Sequence, residues 1–335
     1  MAGILGKSRR IALISLAAFG VAVTPATADD DNDPLCYTTQ SVLDPPFSGP
    51  SASIIYDNRF TNPVNIPAGL LDNGYVPQGM AAWPNWDGTT EDILLIGAYD
   101  SRSATGASGI WGVVTSGPRT GDGLGRMLIA SGHVGGLGVY GGWLYVGSEA
   151  EIRGYRLGTV REALQGANTN VVEPREYNRP TSYTVGFMGT GDGHLWAGDF
   201  DENTATHLNG YQQVNASTGA IEFRSATQAY APKKTQGVAV TANEVIFSTS
   251  WTRQDRGNIW VMRRGQDNLT DANSYCFRAP SMNQGVAIMN GQLYVNFESG
   301  AAPYVNDPDT RNKISRVHAA SFASIAALPT SGAED

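Results

Sequence analysis

Apolar and polar positions along this chain follow a unit that recurs five times. A glycine opens a short apolar stretch, a tight polar turn follows, and a second apolar stretch rich in Leu, Tyr, Trp and Val comes after it. From Gly136 the unit reads GLGVYGGWLYV, from Gly186 GFMGTGDGHLW, from Gly237 GVAVTANEVIF and from Gly285 GVAIMNGQLYV, four copies of identical length. A fifth opens at Gly79 with GMAAW and reaches its second apolar run, Ile93–Ile96, after a longer turn. Short apolar runs bounded by Gly and polar turn residues predict strands joined as hairpins. The opening glycines are 57, 50, 51 and 48 residues apart. A period in that range with strands inside it is the signature of a propeller or a solenoid.

A third strand is predicted in each unit, at Gly109–Val114, Glu151–Leu157, Leu208–Val214, Asn258–Arg263 and Lys313–Val317. A fourth, outer strand is predicted at Gly125–Ala130, Val171–Tyr177, Ala220–Ala226 and Asn273–Arg278, with a short helical turn at Val160–Gly166. Four antiparallel strands per unit, set radially, make the blade of an all-β propeller. Five blades are expected, or six if residues 36–75 form a degenerate blade of their own. The last unit shows no fourth strand before an alanine-rich tail, His318–Leu328. The N-terminal stretches Cys36–Val42 and Ser53–Tyr56 are the candidates to complete it and close the ring.

The chain resembles the β-propeller superfamily over nearly all of its length after the leader. In VGGLGV, KKTQGVAV with STSW, and NFESG it is similar to secreted actinobacterial propeller proteins of unassigned function. That resemblance implies a fold and an exported address, and no particular activity.

Residues 1–28 hold Lys7, Arg9 and Arg10, an apolar run from Ile11 to Val23, and Ala26-Thr27-Ala28, the three parts of a signal peptide. The expected mature chain is a single domain, residues 29–335, secreted to the extracellular space or periplasm. The route is the general secretory one or, given Arg9-Arg10, the twin-arginine one. The apolar run is shorter than the ~20 residues of a membrane-spanning helix. Loss of the leader removes three positive charges and no negative one, taking the formal charge from −8 to −11. An acidic exported protein is a poor partner for nucleic acid or anionic membranes, which demand basic patches. A monomer is the default expectation. Cys36 and Cys276 enter an oxidising compartment, and a disulfide between them would clamp the closure. Two unpaired buried thiols are the alternative.

In a propeller blade, residues just before the first strand and just after the second collect around one mouth of the central channel. Before the opening glycines stand Gln78, His133, Tyr183, Lys233-Lys234-Thr235-Gln236 and Asn283-Gln284. After the second strands stand Tyr99-Asp100, Ser148-Glu149, Asp199-Phe200-Asp201, Ser250-Trp251-Thr252-Arg253 and Glu298-Ser299. The long stretch Ser299–Asn312, with Tyr304, Asp307 and Asp309, belongs to the same face. His133, Glu149 and Glu298 are the candidate catalytic residues, because imidazole and environment-shifted carboxyls move protons near neutral pH. Gln78, Tyr99, Lys234, Gln236, Trp251 and Gln284 are the candidate substrate-binding residues. Asp100, Asp199 and Asp201 are the candidate ligands of calcium or magnesium, since converging carboxylates repel unless solvated, paired or bound to a cation. The plainer readings are glutamines that satisfy neighbouring backbone groups, and acids paired with Lys233, Lys234 or Arg253.

No GxxxxGK[ST] is present, and no GxGxxG stands between a strand and a helix, so no nucleotide cofactor is expected. No G-x-S-x-G elbow and no zinc-spaced His/Cys cluster occur. A glycosidase pair such as Glu149 with Glu298 is disfavoured, because the first strands carry almost no acids. The equivalent positions Asp100, Ala150, Asp201, Trp251 and Ser299 differ from unit to unit, which favours one central site over five equal ones. The expectation is therefore an enzyme that hydrolyses, eliminates or isomerises a small organic molecule at an acidic mouth. A non-catalytic glycan- or protein-binding propeller is the alternative.

Overall fold

The structure is a computed structural model that describes residues 53–88, 90–166, 177–264 and 274–329. The leader and Cys36–Val42 lie outside the described residues. The described chain begins with helix α1 (Ile54–Arg59), strand β1 (Thr61–Asn65) and a turn of helix, α2 (Ala68–Leu71). The first unit holds β2 (Tyr75–Trp83), β3 (Ile93–Asp100), β4 (Ser108–Val114) and β5 (Gly123–Ile129). The second holds β6 (Gly136–Tyr140), β7 (Trp143–Ser148) and β8 (Glu151–Arg156), then helix α3 (Leu157–Gln165) and β9 (Tyr177–Pro180). The third holds β10 (Phe187–Gly191), β11 (His194–Gly198), β12 (Thr206–Asn215) and β13 (Ala220–Ala231). The fourth holds β14 (Thr235–Val240), β15 (Glu244–Thr249), β16 (Gly257–Arg263) and β17 (Ser274–Ala279). The fifth holds β18 (Asn283–Met289), β19 (Gln292–Phe297), α4 (Ala302–Val305), β20 (Arg316–Ser321) and the short α5 (Phe322–Ala326). Within each unit consecutive strands pair antiparallel, and a parallel bridge between Met188 and Gly136 links the second and third sheets.

The second strands read as unbroken apolar runs because both of their faces are covered. Along β3, Ile93 and Leu95 enter the core shared with the second unit, while Leu94 and Ile96 enter the core shared with the fifth. The same alternation sends Leu144 and Val146 one way from β7 and Trp143 and Tyr145 the other. Each of the five apolar clusters among the described residues sits at a junction between two units. A period of two, applied to a strand between two neighbours, thus fills two cores rather than one core and a wet face.

The opening glycines are required by how closely the first strands approach. A Cβ on Gly285 would lie 2.5 Å from the Met80 backbone nitrogen, and one on Gly136 2.3 Å from the Met188 Cβ. First strands of neighbouring units are therefore in backbone contact, and β18 of the fifth unit lies against β2 of the first.

Three expectations at the chain ends need correction. Ser53–Tyr56 is not extended: Ser53 caps α1, its Oγ accepting from the Tyr56 backbone N–H at 3.2 Å, and Ile55 and Tyr56 are buried. The strand added to the fifth sheet is instead β1, paired with β20 through Val64↔Val317 and Asn65↔Arg316. Pro63 suits such an outermost position, where one edge needs no ladder bond. The third strand of the fifth unit is β20, later than the expected Lys313–Val317, so His318 lies within it, buried. The described part of residues 36–75 makes no four-stranded unit of its own. In the second unit, α3 buries Val160, Ala163 and Leu164, spaced as one helical face. Among the described residues no helix is long and apolar enough to cross a membrane.

Candidate functional site

The mouth is a cavity of about 530 Å³ to which the first, second, fourth and fifth units contribute. The three Gln-Gly steps explain part of its polarity. Ladder register shifts between Pro77 and Met80, between Thr235 and Gly237, and between Asn283 and Val286, where β2, β14 and β18 begin. Such bulges re-aim a side chain, and Gln78, Gln236 and Gln284 all line the cavity. No such shift interrupts the first hairpins of the second and third units, β6–β7 and β10–β11, which lack the glutamine.

Glu298 follows the last residue of β19 and is the most perturbed acid of the mouth. Its Oε2 accepts from the Gln78 side-chain amide at 2.9 Å, and Gln284 supplies a further hydrogen bond. Burial pushes its pKa up to about 7, against the opposing pull of the two amides and Arg253. The Gln78 Nε2 also donates to the Pro77 carbonyl at 3.0 Å. The backbone carbonyl of Gln78 accepts from Asn296 Nδ2 at 2.9 Å, which pins the bulge. Asn296 is fully buried within β19, and its Oδ1 has no partner.

Beside the carboxyl, the hydroxyls of Tyr99 and Tyr304 lie 3.1 Å apart, and burial raises the pKa of both. His133 stacks on Tyr99 with ring centres 5.0 Å apart and planes 20° off parallel. Desolvation lowers the His133 pKa from its ordinary value, partly offset by the charge of Glu149. Arg253 lies over the Tyr304 ring at 5.0 Å and donates to Asp307 at 2.5 Å, so the long segment after β19 is fastened across the mouth. At the rim Trp251 is exposed, leaning on Phe200 at 5.1 Å.

Of the candidate residues, Gln78, Tyr99, His133, Gln236, Trp251, Gln284 and Glu298 line this one cavity. Glu149 and Lys234 do not. Glu149 is exposed, and its carbonyl accepts from Val185 N–H at 2.7 Å; Lys234 N–H donates to the Asp201 carbonyl at 2.7 Å. Gln236 donates to the Ser250 carbonyl at 3.1 Å, the plainer of its two readings. The candidate metal ligands are not brought together. Asp100 is held by Arg102 through both oxygens, Asp201 accepts from the backbone N–H of Asn203 and Thr204, and Asp199 faces a different cavity. Among the described residues no three His, Cys, Asp or Glu side chains form a metal-binding group.

The sequence reading gave no role to Asn296 or Met282. Asn296 had a visible signal, a polar residue inside the apolar run LYVNF. Backbone strain touches the same mouth: Thr252 and Met282, which line it, have positive φ, as do Val134, Glu149 and Lys234, which stand beside other residues of the same loops. The other non-glycine positive-φ residues described, Asn85, Asp192 and Asn290, are turn formers at the opposite ends of the hairpins. Each strained residue costs on the order of 1–3 kcal/mol and persists where surrounding structure enforces it.

No protein-family profile matches this chain, and no curated protein matches it in sequence. Among solved structures, glutaminyl cyclase of Myxococcus xanthus is similar at a TM-score of 0.45 and 8% identity, covering 71% of this chain and 91% of that chain.

Chemically, the mouth offers one half-buried carboxyl able to take or give a proton near neutrality. Around it stand phenol, imidazole and guanidinium groups that donate to developing negative charge. A general base poised near 7 is the arrangement proton-transfer catalysis favours.

Proposed function

We propose that this protein is an exported enzyme, a five-bladed propeller whose ring is completed by β1. It acts on a small organic molecule at the mouth by general acid–base chemistry. Glu298 moves the proton, Gln78 and Gln284 orient its carboxyl, and Tyr99, Tyr304 and Arg253 stabilise an oxyanion. His133 is the second proton-transfer group. Hydrolysis, elimination and isomerisation all fit this set of groups.

The observation that carries the reading is the half-buried Glu298 carboxyl, hydrogen-bonded by two amides and open to a cavity of small-molecule size. A merely structural acid at a channel mouth gains nothing from burial that raises its pKa. The second reading is a binding module for a glycan or protein, favoured by the exposed Trp251 at the rim.

The test is a panel of small hydroxy, keto and lactone compounds. Each is screened first by thermal shift and then for turnover, with the wild-type chain and with Glu298→Gln. The enzyme reading expects turnover that falls about 10²–10⁴-fold in the variant while binding persists. Ligands that bind both forms equally and are never converted would leave the binding module as the function.

A further inference from the structure

The described residues hold a second cavity, of about 610 Å³, that shares no lining residue with the mouth. It opens between β9 of the second unit and the outer strands of the third. Tyr183, Tyr211 and Phe223 give it aromatic walls, and Arg179, Asp199 and Asn209 give it polar ones.

Phe223 is 46% exposed; besides Trp251 at the mouth, it is the one exposed large aromatic side chain among the described residues. Its orientation is fixed, because it meets Tyr211 edge-on at 6.0 Å and 76°. Tyr211 is in turn fixed by the Tyr183 hydroxyl at 2.8 Å and by Arg179 over its ring at 5.3 Å. The cavity therefore contains a positioned aromatic ring left open to solvent.

Its charged groups are also left open. Several acids elsewhere on the surface are paired with arginine, as in Asp100 with Arg102, Asp192 with Arg264 and Asp307 with Arg253. Among the described residues Arg179 has no carboxylate partner; its Nη1 donates to the Ile221 carbonyl at 3.0 Å. Asp199 has no cationic partner, and its carboxyl accepts from the Phe200 backbone N–H. Burial and the charge of Asp201 raise the Asp199 pKa. Arg179 and Asp199 line the same cavity without forming an ion pair with each other.

The lining selects among ligands. A phosphorylated ligand brings its charge against the Asp199 carboxyl, which already feels the charge of Asp201. A purely apolar ligand shields Arg179, Asp199 and Asn209 from water without supplying the further hydrogen bonds each can make. A neutral sugar ring meets every condition: one face is a flat sheet of C–H bonds, and the edge carries hydroxyls that both donate and accept. We propose that this cavity binds a neutral pyranose, alone or at the end of a glycan. Its C–H face lies on Phe223, and its hydroxyls donate to Asp199, accept from Arg179 and do both with Asn209.

The proposal is independent of the chemistry assigned to the mouth. The test titrates the exported chain with glucose, galactose, mannose, N-acetylglucosamine and their short oligomers, read by saturation-transfer NMR and calorimetry. Expected is millimolar or tighter binding to at least one, little changed by salt because the ligand is uncharged. Phe223→Ala and Asp199→Asn should each weaken it about tenfold or more, a loss of about 1.4 kcal/mol, while Trp251→Ala and Glu298→Gln leave it unchanged. Binding lost in Trp251→Ala and kept in Phe223→Ala would put the sugar in the mouth and overturn the proposal. So would the absence of binding to every sugar, or a preference for amino acids that weakens with salt.

Discussion

The side-chain amide of Gln78 donates to the carboxylate of Glu298 at 2.9 Å, joining the first unit to the fifth at the floor of the mouth. A donor to the charged form favours that form, so this bond holds the Glu298 pKa below the value burial alone would impose. Gln78→Leu is expected to raise it further above about 7. Asn296→Leu frees only the Gln78 backbone carbonyl and should shift it less. Carbon-13 NMR titration of the glutamate carboxyls reads both shifts, and a midpoint that stays or falls in Gln78→Leu removes the orienting role of the amide. Either variant should cost about 1–3 kcal/mol for a buried partner left unmade.

Chelator should leave the protein's melting curve unchanged, and added calcium or magnesium should not raise it. Asp100 already spends both oxygens on Arg102, and Asp201 is closed over its own turn by two backbone N–H groups. A melt that falls in chelator and recovers with calcium would show that these acids rearrange around a cation.

Much of this arrangement is legible in the chain, for reasons particular residues make clear. The opening glycines stand where first strands touch backbone to backbone, and Leu94 and Leu95 read alike because each enters a different core. The mouth follows from strand order alone, which is why seven of the candidate residues line one cavity. Other features depend on contacts that sequence does not carry. Thr61–Asn65 reads as a polar loop with a proline, and it is a strand only because the β20 edge is there to receive it. Ser53–Tyr56 holds adjacent isoleucines that suit a strand, yet Ser53 is positioned to cap a helix that buries Tyr56. The three aspartates stand at like positions in the sequence, which does not carry the Arg102 partner of Asp100 or the turn that Asp201 closes on itself.

Reducing agent is expected to lower the melting temperature markedly. Cys276 is buried on β17 and is not a free thiol, while Cys36 lies outside the described residues. The described N-terminus starts beside that strand, with Ser53 Oγ donating to the Arg278 carbonyl at 2.8 Å. A Cys36–Cys276 bond would tie the N-terminal segment to the strand that Ser53 already meets. Joining residues 240 apart, it constrains the unfolded chain by on the order of 4–5 kcal/mol in the loop-entropy model. A melt indifferent to reductant, with both thiols titratable after unfolding in its absence, would rule this clamp out.

Gly285→Ala and Gly158→Ala should part sharply. At Gly285 the new Cβ meets the Met80 nitrogen at 2.5 Å and the Gln78 carbonyl at 2.9 Å, and backbone cannot step aside. Opening this junction should cost at least the 1–3 kcal/mol typical of overpacking. It should also disturb the Gln78–Glu298 bond. Gly158 lies in α3 with nothing within 4 Å of its Cβ position, so alanine there should be neutral or stabilise by up to about 1 kcal/mol. Urea unfolding of both variants reads the difference, and equal effects would mean the first strands are not held in close contact.

Stability against pH should show two opposed slopes that mask each other. His318 is buried, its Nδ1 2.7 Å from the Tyr56 hydroxyl, and burial lowers its pKa from 6.5 to about 3. Between those values the unfolded chain binds a proton that the folded one refuses, so this group's stability is present above 6.5 and lost as pH falls towards 3. Glu298 works the other way. Its pKa rises from 4.5 to about 7, so in that interval the folded chain holds a proton that the unfolded one has released. Its contribution is present below 4.5 and lost as pH climbs through 7. Each slope is at most about 1.4 kcal/mol per pH unit, and from 4.5 to 6.5 they nearly cancel. Glu298→Gln should therefore unmask a stability that rises with pH across that window, and His318→Gln one that falls. Urea midpoints at half-unit steps of pH test this, and parallel curves for the wild type and both variants would mean that neither group titrates as its burial requires.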